Sequence, residues 1–461
     1  MNLFRINPLS VRRIDLSDVM AALSLALDLV EGQPEGHSVR SAILGMRIGR
    51  DLGLNDSDLS DLFYALLMKD LGCSSNAAKM CFLFGADDRL TKGNIKTVNW
   101  RNMPQQLMFA IKHVAPGQPW LTRMKRLLGI AVAGQRAGKE LIQIRCERGA
   151  KIARLIGLSE ATAIAIHCLD EHFDGGGHPE GLVGDEIPLL ARIMGLAQTA
   201  EVFHREHGLE AMRDMARNRR KTWFDPQLVD LLLAIKDEDD IWRQIKDNPR
   251  QHIAQYEPES RTLIADDEQL DNIALGFAQV IDAKSPWTFR HSTGVSEIAA
   301  GIAEVMGYSA HEARDLRRAG LLHDIGKLGV SNTILDKPGK LTPEEIAEMR
   351  KHTNYTLRIL KRVSGFSDLA ELAASHHERL DGKGYHRGID APRMSQPMRI
   401  LCVADMYEAL AARRPYREDL TEEQVMSILT KHSPDGICPV VFEALKAWVN
   451  KTGFAPERVA A

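Results

Sequence analysis

The chain has 461 residues with 59 Lys and Arg against 62 Asp and Glu, a net charge of −3 and a pI near 6.6; it is long enough for two or three domains that each bury a core, and it lacks the global basic field that long nucleic acid calls for. The cysteines at 73, 81, 146, 168, 402 and 438 show no CxxC spacing, as expected of reduced thiols. No apolar run approaches the roughly 20 residues of a bilayer span, and residues 1–18 lack the charged-then-apolar order of a secretory signal, so the expectation is a soluble, cytoplasmic protein.

Helical periodicity dominates from the N-terminus onward, and strand signals are weak. The first landmark is Gly36-His37-Ser38, followed 32 residues after the histidine by Lys69-Asp70 within Ala65-Leu66-Leu67-Met68-Lys69-Asp70-Leu71-Gly72. A loop pattern, Asp174-Gly175-Gly176-Gly177-His178-Pro179, comes next. Residues 236–265 are polar and charged, punctuated by Asn248-Pro249, and are expected to form a connector. Beyond it, Leu270, Ile273, Ala274, Phe277 and Ile281 follow the i, i+3, i+4, i+7 spacing of one buried helical stripe. Leu316, Gly320 and His323 fall on one face of a later helix. Thr342-Pro343-Glu344-Glu345 reads as a helix start, with proline first and acids in the first turn.

The second half repeats the landmarks of the first. Arg290-His291-Ser292 parallels Gly36-His37-Ser38, and His323-Asp324 again lies 32 residues on, in Gly320-Leu321-Leu322-His323-Asp324-Ile325-Gly326. Asp381-Gly382-Lys383-Gly384-Tyr385-His386 parallels the loop at Asp174. Between these landmarks the first copy is longer by 47 residues, an insertion expected between about Cys73 and Arg136.

Chemistry concentrates in the second copy. His291, His323-Asp324, His352, His376-His377-Glu378 and Asp405 are types that ligate divalent transition metals. A lone His-Asp dipeptide is ordinarily a surface or capping pair, and adjacent histidines are poor helix-packing material, so it is the whole set that points to a metal site. At the matching positions the first copy has Lys69 for His323, Arg145 for His352, Leu169-Asp170 for His376-His377 and Gln198 for Asp405, retaining only His37 and Asp70. A cation in a metal pocket repels the metal, so the first copy is expected to hold none. His167, His172 and His178 lie near its old site and are expected to be packing or surface residues.

Residues 282–417 resemble the HD-GYP family of metal-dependent phosphodiesterases that open cyclic di-GMP, with Gly384-Tyr385-His386 where the family's naming motif has Gly-Tyr-Pro. The resemblance implies an all-α fold of two tandem HD-type helical bundles. Residues 1–235 would form a degenerate copy kept for regulation, dimerisation or partner binding, and residues 266–461 the phosphodiesterase. It further implies that Asp324 bridges two metals, that His291, His323 and Asp405 complete one, and that His352, His376 and His377 complete the other. Five imidazoles with two carboxylates favour iron or manganese over magnesium. Trp287 stands where some members have a third-metal glutamate, so two metals are expected. Glu378 is expected to orient a histidine N–H. Lys327, and Arg414 with Arg417, would bind phosphate or a guanine edge. Cleavage by in-line attack would expel the 3′ oxygen and give the linear dinucleotide, with the hybrid cyclic GMP–AMP also open as substrate. The competing readings are an HD-type nucleotidase or dNTP hydrolase, which needs no His352 or His376-His377, and a non-catalytic dinucleotide or partner receptor.

Overall fold

A computed structural model describes residues 14–99, 102–258, 264–288, 290–363, 366–412 and 420–454, with the helical backbone alone at residues 131–137. It is all-α among these residues, apart from one two-stranded pairing of Ile14–Asp15 with Ile264–Ala265. The chain divides into two compact units, one built on Asp15–Ala265 and the other on Asp266–Val330 with the chain after Ile334.

Each unit is a bundle laid down in the same order. The first begins with helices Leu16–Val30, His37–Leu52 and Asp56–Met68, then continues after its insertion with the end of the long helix Trp120–Leu155, Glu160–His167 and Leu189–His207. The second begins with Asp267–Asp282, His291–Val305 and Ala310–Leu322, followed by Pro343–Leu360, Ser367–Ala374 and Gln396–Ala411. The stripe expected on Asp267–Asp282 is buried in full, with Phe277 at 0% exposure, and burial of such a ring contributes about 2–3 kcal/mol. Thr342 caps Pro343–Leu360 through a reciprocal capping box with Glu345, which fixes the start of the helix that carries His352.

One expectation fails. Residues 236–265 are not a bare connector: Asp240–Lys246, Pro249–His252 and Ile253–Tyr256 are helical, and Ile241, Trp242, Ile245, Ile253 and Tyr256 are buried within the first unit. Their apolar residues are spaced too sparsely among charges to register as a helical stripe.

Two backbone devices recur in both bundles. The residue before the first histidine is left-handed, Gly36 at φ +87° and Arg290 at φ +58°, so the chain turns sharply to aim that histidine inward from the first position of its helix. Gly72 and Gly326, each three residues after the Lys69 or His323 position, lie against a neighbouring helix. A Cβ on Gly72 would sit 1.8 Å from the Arg145 carbonyl oxygen, and one on Gly326 would sit 1.9 Å from that of His352. Only glycine permits that approach. Gly326→Ala is therefore expected to displace helix Pro343–Leu360 and destabilise the second bundle by roughly 1–3 kcal/mol, and Gly72→Ala to do the same to the first. Denaturant unfolding of each variant checks this, and an unchanged midpoint would contradict the tight contact.

Candidate metal centre

Three histidines of the second bundle are held by one local rule. His323, His352 and His376 each place Nδ1 2.7 Å from the backbone carbonyl three residues earlier, those of Gly320, Met349 and Ala373. His323 and His376 directly follow the ends of their helices and His352 lies within Pro343–Leu360, and in each case helical backbone brings that carbonyl within reach. The Nδ1–H donates to the carbonyl, the proton is fixed there, and Nε2 is left as a lone pair pointing into the bundle. His291 is held differently: its Nδ1 contacts the Glu408 carboxylate, one turn beyond Asp405 on helix Gln396–Ala411.

These imidazoles surround Asp324, a residue 1% exposed. Its Oδ2 faces His291 Nε2 at 3.4 Å and His323 Nε2 at 3.2 Å, while Oδ1 faces His352 Nε2 at 3.5 Å and His376 Nε2 at 3.6 Å. Asp405 closes the ring, with Oδ1 3.4 Å from His291 Nε2 and Oδ2 3.5 Å from His377 Nδ1. Two convergent donor sets result, His291 with His323 and Asp324, and His352 with His376 and His377.

The donors fit metal ions. His352 Nε2 and His376 Nε2 lie 3.2 Å apart, yet both rings already donate through Nδ1, so two lone pairs face each other and call for a cation between them. His323 Nε2 and Asp324 Oδ1 are buried without a hydrogen-bond partner, a costly state unless something else binds them. Burial depresses the pKa of His352 to about 3 and of His377 to about 4, and holds His376 well below its usual value, keeping these rings in the neutral form that ligates. His291 goes the other way. Burial opposes its charge, but Glu408, Asp324 and Asp405 outweigh it and raise its pKa, so the carboxylate side of the site demands positive charge. Against the cost of burial, the Lys327 ammonium helps hold Asp324 below the usual carboxylate range and the contact with His291 does so for Asp405.

The remaining expected residues separate into three groups. Lys327 Nζ is 2.5 Å from Asp324 Oδ2 and lines an open cavity with Trp287, Thr288, His352, His377 and Tyr385. Arg414 and Arg417 lie outside the described residues. Glu378 does not orient a histidine: its carboxylate accepts from the backbone N–H of Arg387 at 2.8 Å and of Ile389 at 3.0 Å, pinning the loop that carries Tyr385. The histidine-orienting glutamate is Glu408, which sequence reasoning missed. Its signal lay in the repeat, since Glu201 stands 27 residues after Asp174 as Glu408 does after Asp381, and Glu201 contacts His37 Nδ1.

The first bundle fills the corresponding space with its own cations. Lys69 is buried against Asp70, Arg145 contacts Asp170, and the inserted segment adds Lys92 and Lys96. Lys96 Nζ lies 3.3 Å from Glu31 and 3.8 Å from Asp70, and with Lys92 and Arg145 it outweighs burial and holds the Glu31 carboxyl below its usual range. Glu31, Asp70 and Cys73 do converge, but ammonium groups already neutralise the two carboxylates, and burial raises the Cys73 thiol well above its usual pKa. His172 stacks on Trp223 at 4.2 Å and His167 pairs with Glu180.

The HD-domain family profile matches residues 136–228 and 277–437, a span in each bundle. A 3′3′-cGAMP-specific phosphodiesterase of Vibrio cholerae is 41% identical over 446 residues, covering 94% of this chain and 95% of its own length. A cyclic di-GMP phosphodiesterase of Thermotoga maritima is 41% identical over 159 residues, 34% of this chain and 43% of its own. The crystal structure of a cyclic GMP-AMP specific phosphodiesterase from V. cholerae superposes with a TM-score of 0.66 at 38% identity, over 95% of this chain and 98% of that one. With both bundles matched and His291, His323, His352 and His376 of the second gathered around Asp324, the chain belongs to the HD-domain family, in its HD-GYP group.

Proposed function

We propose that this chain is a metal-dependent hydrolase of the cyclic dinucleotide 3′3′-cGAMP. The observation that carries the substrate is the similarity, over nearly the whole of both chains, to a phosphodiesterase named for that dinucleotide. The relative named for cyclic di-GMP matches only about a third of this chain, so cyclic GMP–AMP displaces cyclic di-GMP as the first expectation. A nucleotidase reading leaves the His352, His376 and His377 donors without a task.

In this reading His291, His323, Asp324 and Asp405 hold one divalent ion, and Asp324, His352, His376 and His377 hold the second. The imidazole-rich set suits iron or manganese better than magnesium. When bound, the ions supply an activated water and stabilise charge on the phosphoryl oxygens. The residues do the rest. Glu408 fixes the His291 ring, the three backbone carbonyls fix His323, His352 and His376, and Asp324 ties the two halves through its separate oxygens. Lys327 stands at the cavity wall where a phosphate would enter, one side of its ammonium on Asp324. Trp287, 39% exposed in the same wall, is placed to stack a nucleobase. The first bundle, with lysine and arginine where ligands would be, takes no part in hydrolysis and serves assembly or control.

Purified protein is expected to hydrolyse 3′3′-cGAMP with a higher kcat/KM than cyclic di-GMP, and Asp324→Ala is expected to abolish hydrolysis of both while lowering metal content. A preference for cyclic di-GMP would overturn the substrate assignment; full activity in the variant would overturn the site. Elemental analysis should approach two metal ions per chain, with Asp70→Asn leaving that number unchanged; a count near three, or a loss with the Asp70 variant, would contradict the division between bundles. Trp287→Ala is expected to raise KM roughly ten-fold through lost stacking with less change in kcat, and Trp287→Phe to restore most of it. Equal KM in all three proteins would remove the tryptophan from the substrate site.

A further inference from the structure

The insertion of the first bundle exposes what a folded domain ordinarily hides. Of the seventeen large hydrophobic side chains that are exposed among the described residues, ten lie between Phe82 and Leu128. They form helical stripes. Met103, Leu107, Met108 and Ile111 follow i, i+4, i+5, i+8 on helix Met103–His113, and Trp120, Leu121, Met124 and Leu128 do so with i, i+1, i+4, i+8 at the start of Trp120–Leu155. Trp120 and Leu121 are each 69% exposed. The stripes belong to one surface element, because Arg123 bonds the carbonyls of Ile111 and Val114, and Arg126, one turn on, bonds that of Phe82. Contiguous apolar exposure of this kind marks an interaction site.

Charge selects the partner. From Arg89 to Lys139 the sequence contains no carboxylate, while Lys112, Arg123, Lys125 and Arg126 sit among the exposed apolar residues. Chain-wide, acids outnumber bases, so this one-signed segment is local. A second copy meeting the same face across a twofold would bring basic side chains against basic side chains. An anionic lipid surface satisfies both features at once, taking the apolar stripes into the acyl boundary and the exposed Lys112 and Lys125 against headgroups. Among the described residues no helix is long and apolar enough to cross a membrane, so the contact is peripheral. We infer that helix Met103–His113 and the first turns of Trp120–Leu155 form a membrane-docking face for anionic lipid, carried by the non-catalytic bundle.

Co-sedimentation of the full chain with vesicles tests this. Association is expected with equimolar phosphatidylglycerol and phosphatidylcholine, weakening in high salt, and is expected to be absent with phosphatidylcholine alone. Trp120→Ser combined with Leu121→Ser, and separately Lys112→Glu combined with Lys125→Glu, should each lower association about ten-fold. These variants should leave cyclic dinucleotide hydrolysis unchanged, which serves as the folding control. No association with anionic vesicles, or variants that associate as well as the parent, would overturn the inference. A Trp120-dependent dimer in sedimentation velocity without vesicle binding would assign the face to a second copy instead.

Discussion

A buried carboxylate presented with two sets of imidazole nitrogens, one on each oxygen, governs the second bundle. Asp324 is inaccessible to water, and its burial is tolerable only because positive charge can be supplied from both directions. Every feature around it follows from that requirement. Backbone carbonyls take the Nδ1 protons of three histidines so that their Nε2 lone pairs point at the carboxylate, and Glu408 takes that of a fourth. Five helices must converge on this point, and Gly326 lets the chain after Asp324 lie directly on the backbone of the helix that carries His352.

The first bundle faces the same electrostatic problem and meets it with its own ammonium groups. Asp70 is as buried as Asp324, and its neutralising charge comes from Lys69 and Lys96. Glu201 still contacts His37, and Asp28 still accepts from the Ser38 hydroxyl as Asp282 does from that of Ser292. These retained contacts organise helix packing. Lysine, arginine, leucine and glutamine stand where the second bundle gathers His323, His352, His376 and Asp405.

The repeat made much of this readable from residue types alone, because ligand slots recur at fixed distances from landmark histidines and loops, and a lysine in such a slot is chemically unambiguous. Helix starts at Thr342 and the stripe at Asp267–Asp282 were legible for the same local reasons. What escaped depends on three dimensions. Glu408 and Glu378 are both glutamates near ligands, and only the fold decides that one reaches a histidine and the other a loop backbone. The helices within residues 236–265 are held by a few buried residues whose ring contacts lie far away in sequence, Trp242 against His204 and Tyr256 under Arg50. Lys92 and Lys96 gave no sign of joining the Asp70 cluster, since the insertion has no counterpart to compare with.

The matched glycines at 72 and 326 carry a consequence for how the two halves can be compared. Because the same backbone contact is preserved on both sides, to the neighbouring carbonyl of Arg145 in one bundle and His352 in the other, the framework around each buried aspartate is held constant while its lining differs. The molecule therefore contains its own control. One half shows the helical framework closing around a carboxylate neutralised by lysine, and the other shows the same framework closing around a carboxylate faced by imidazoles.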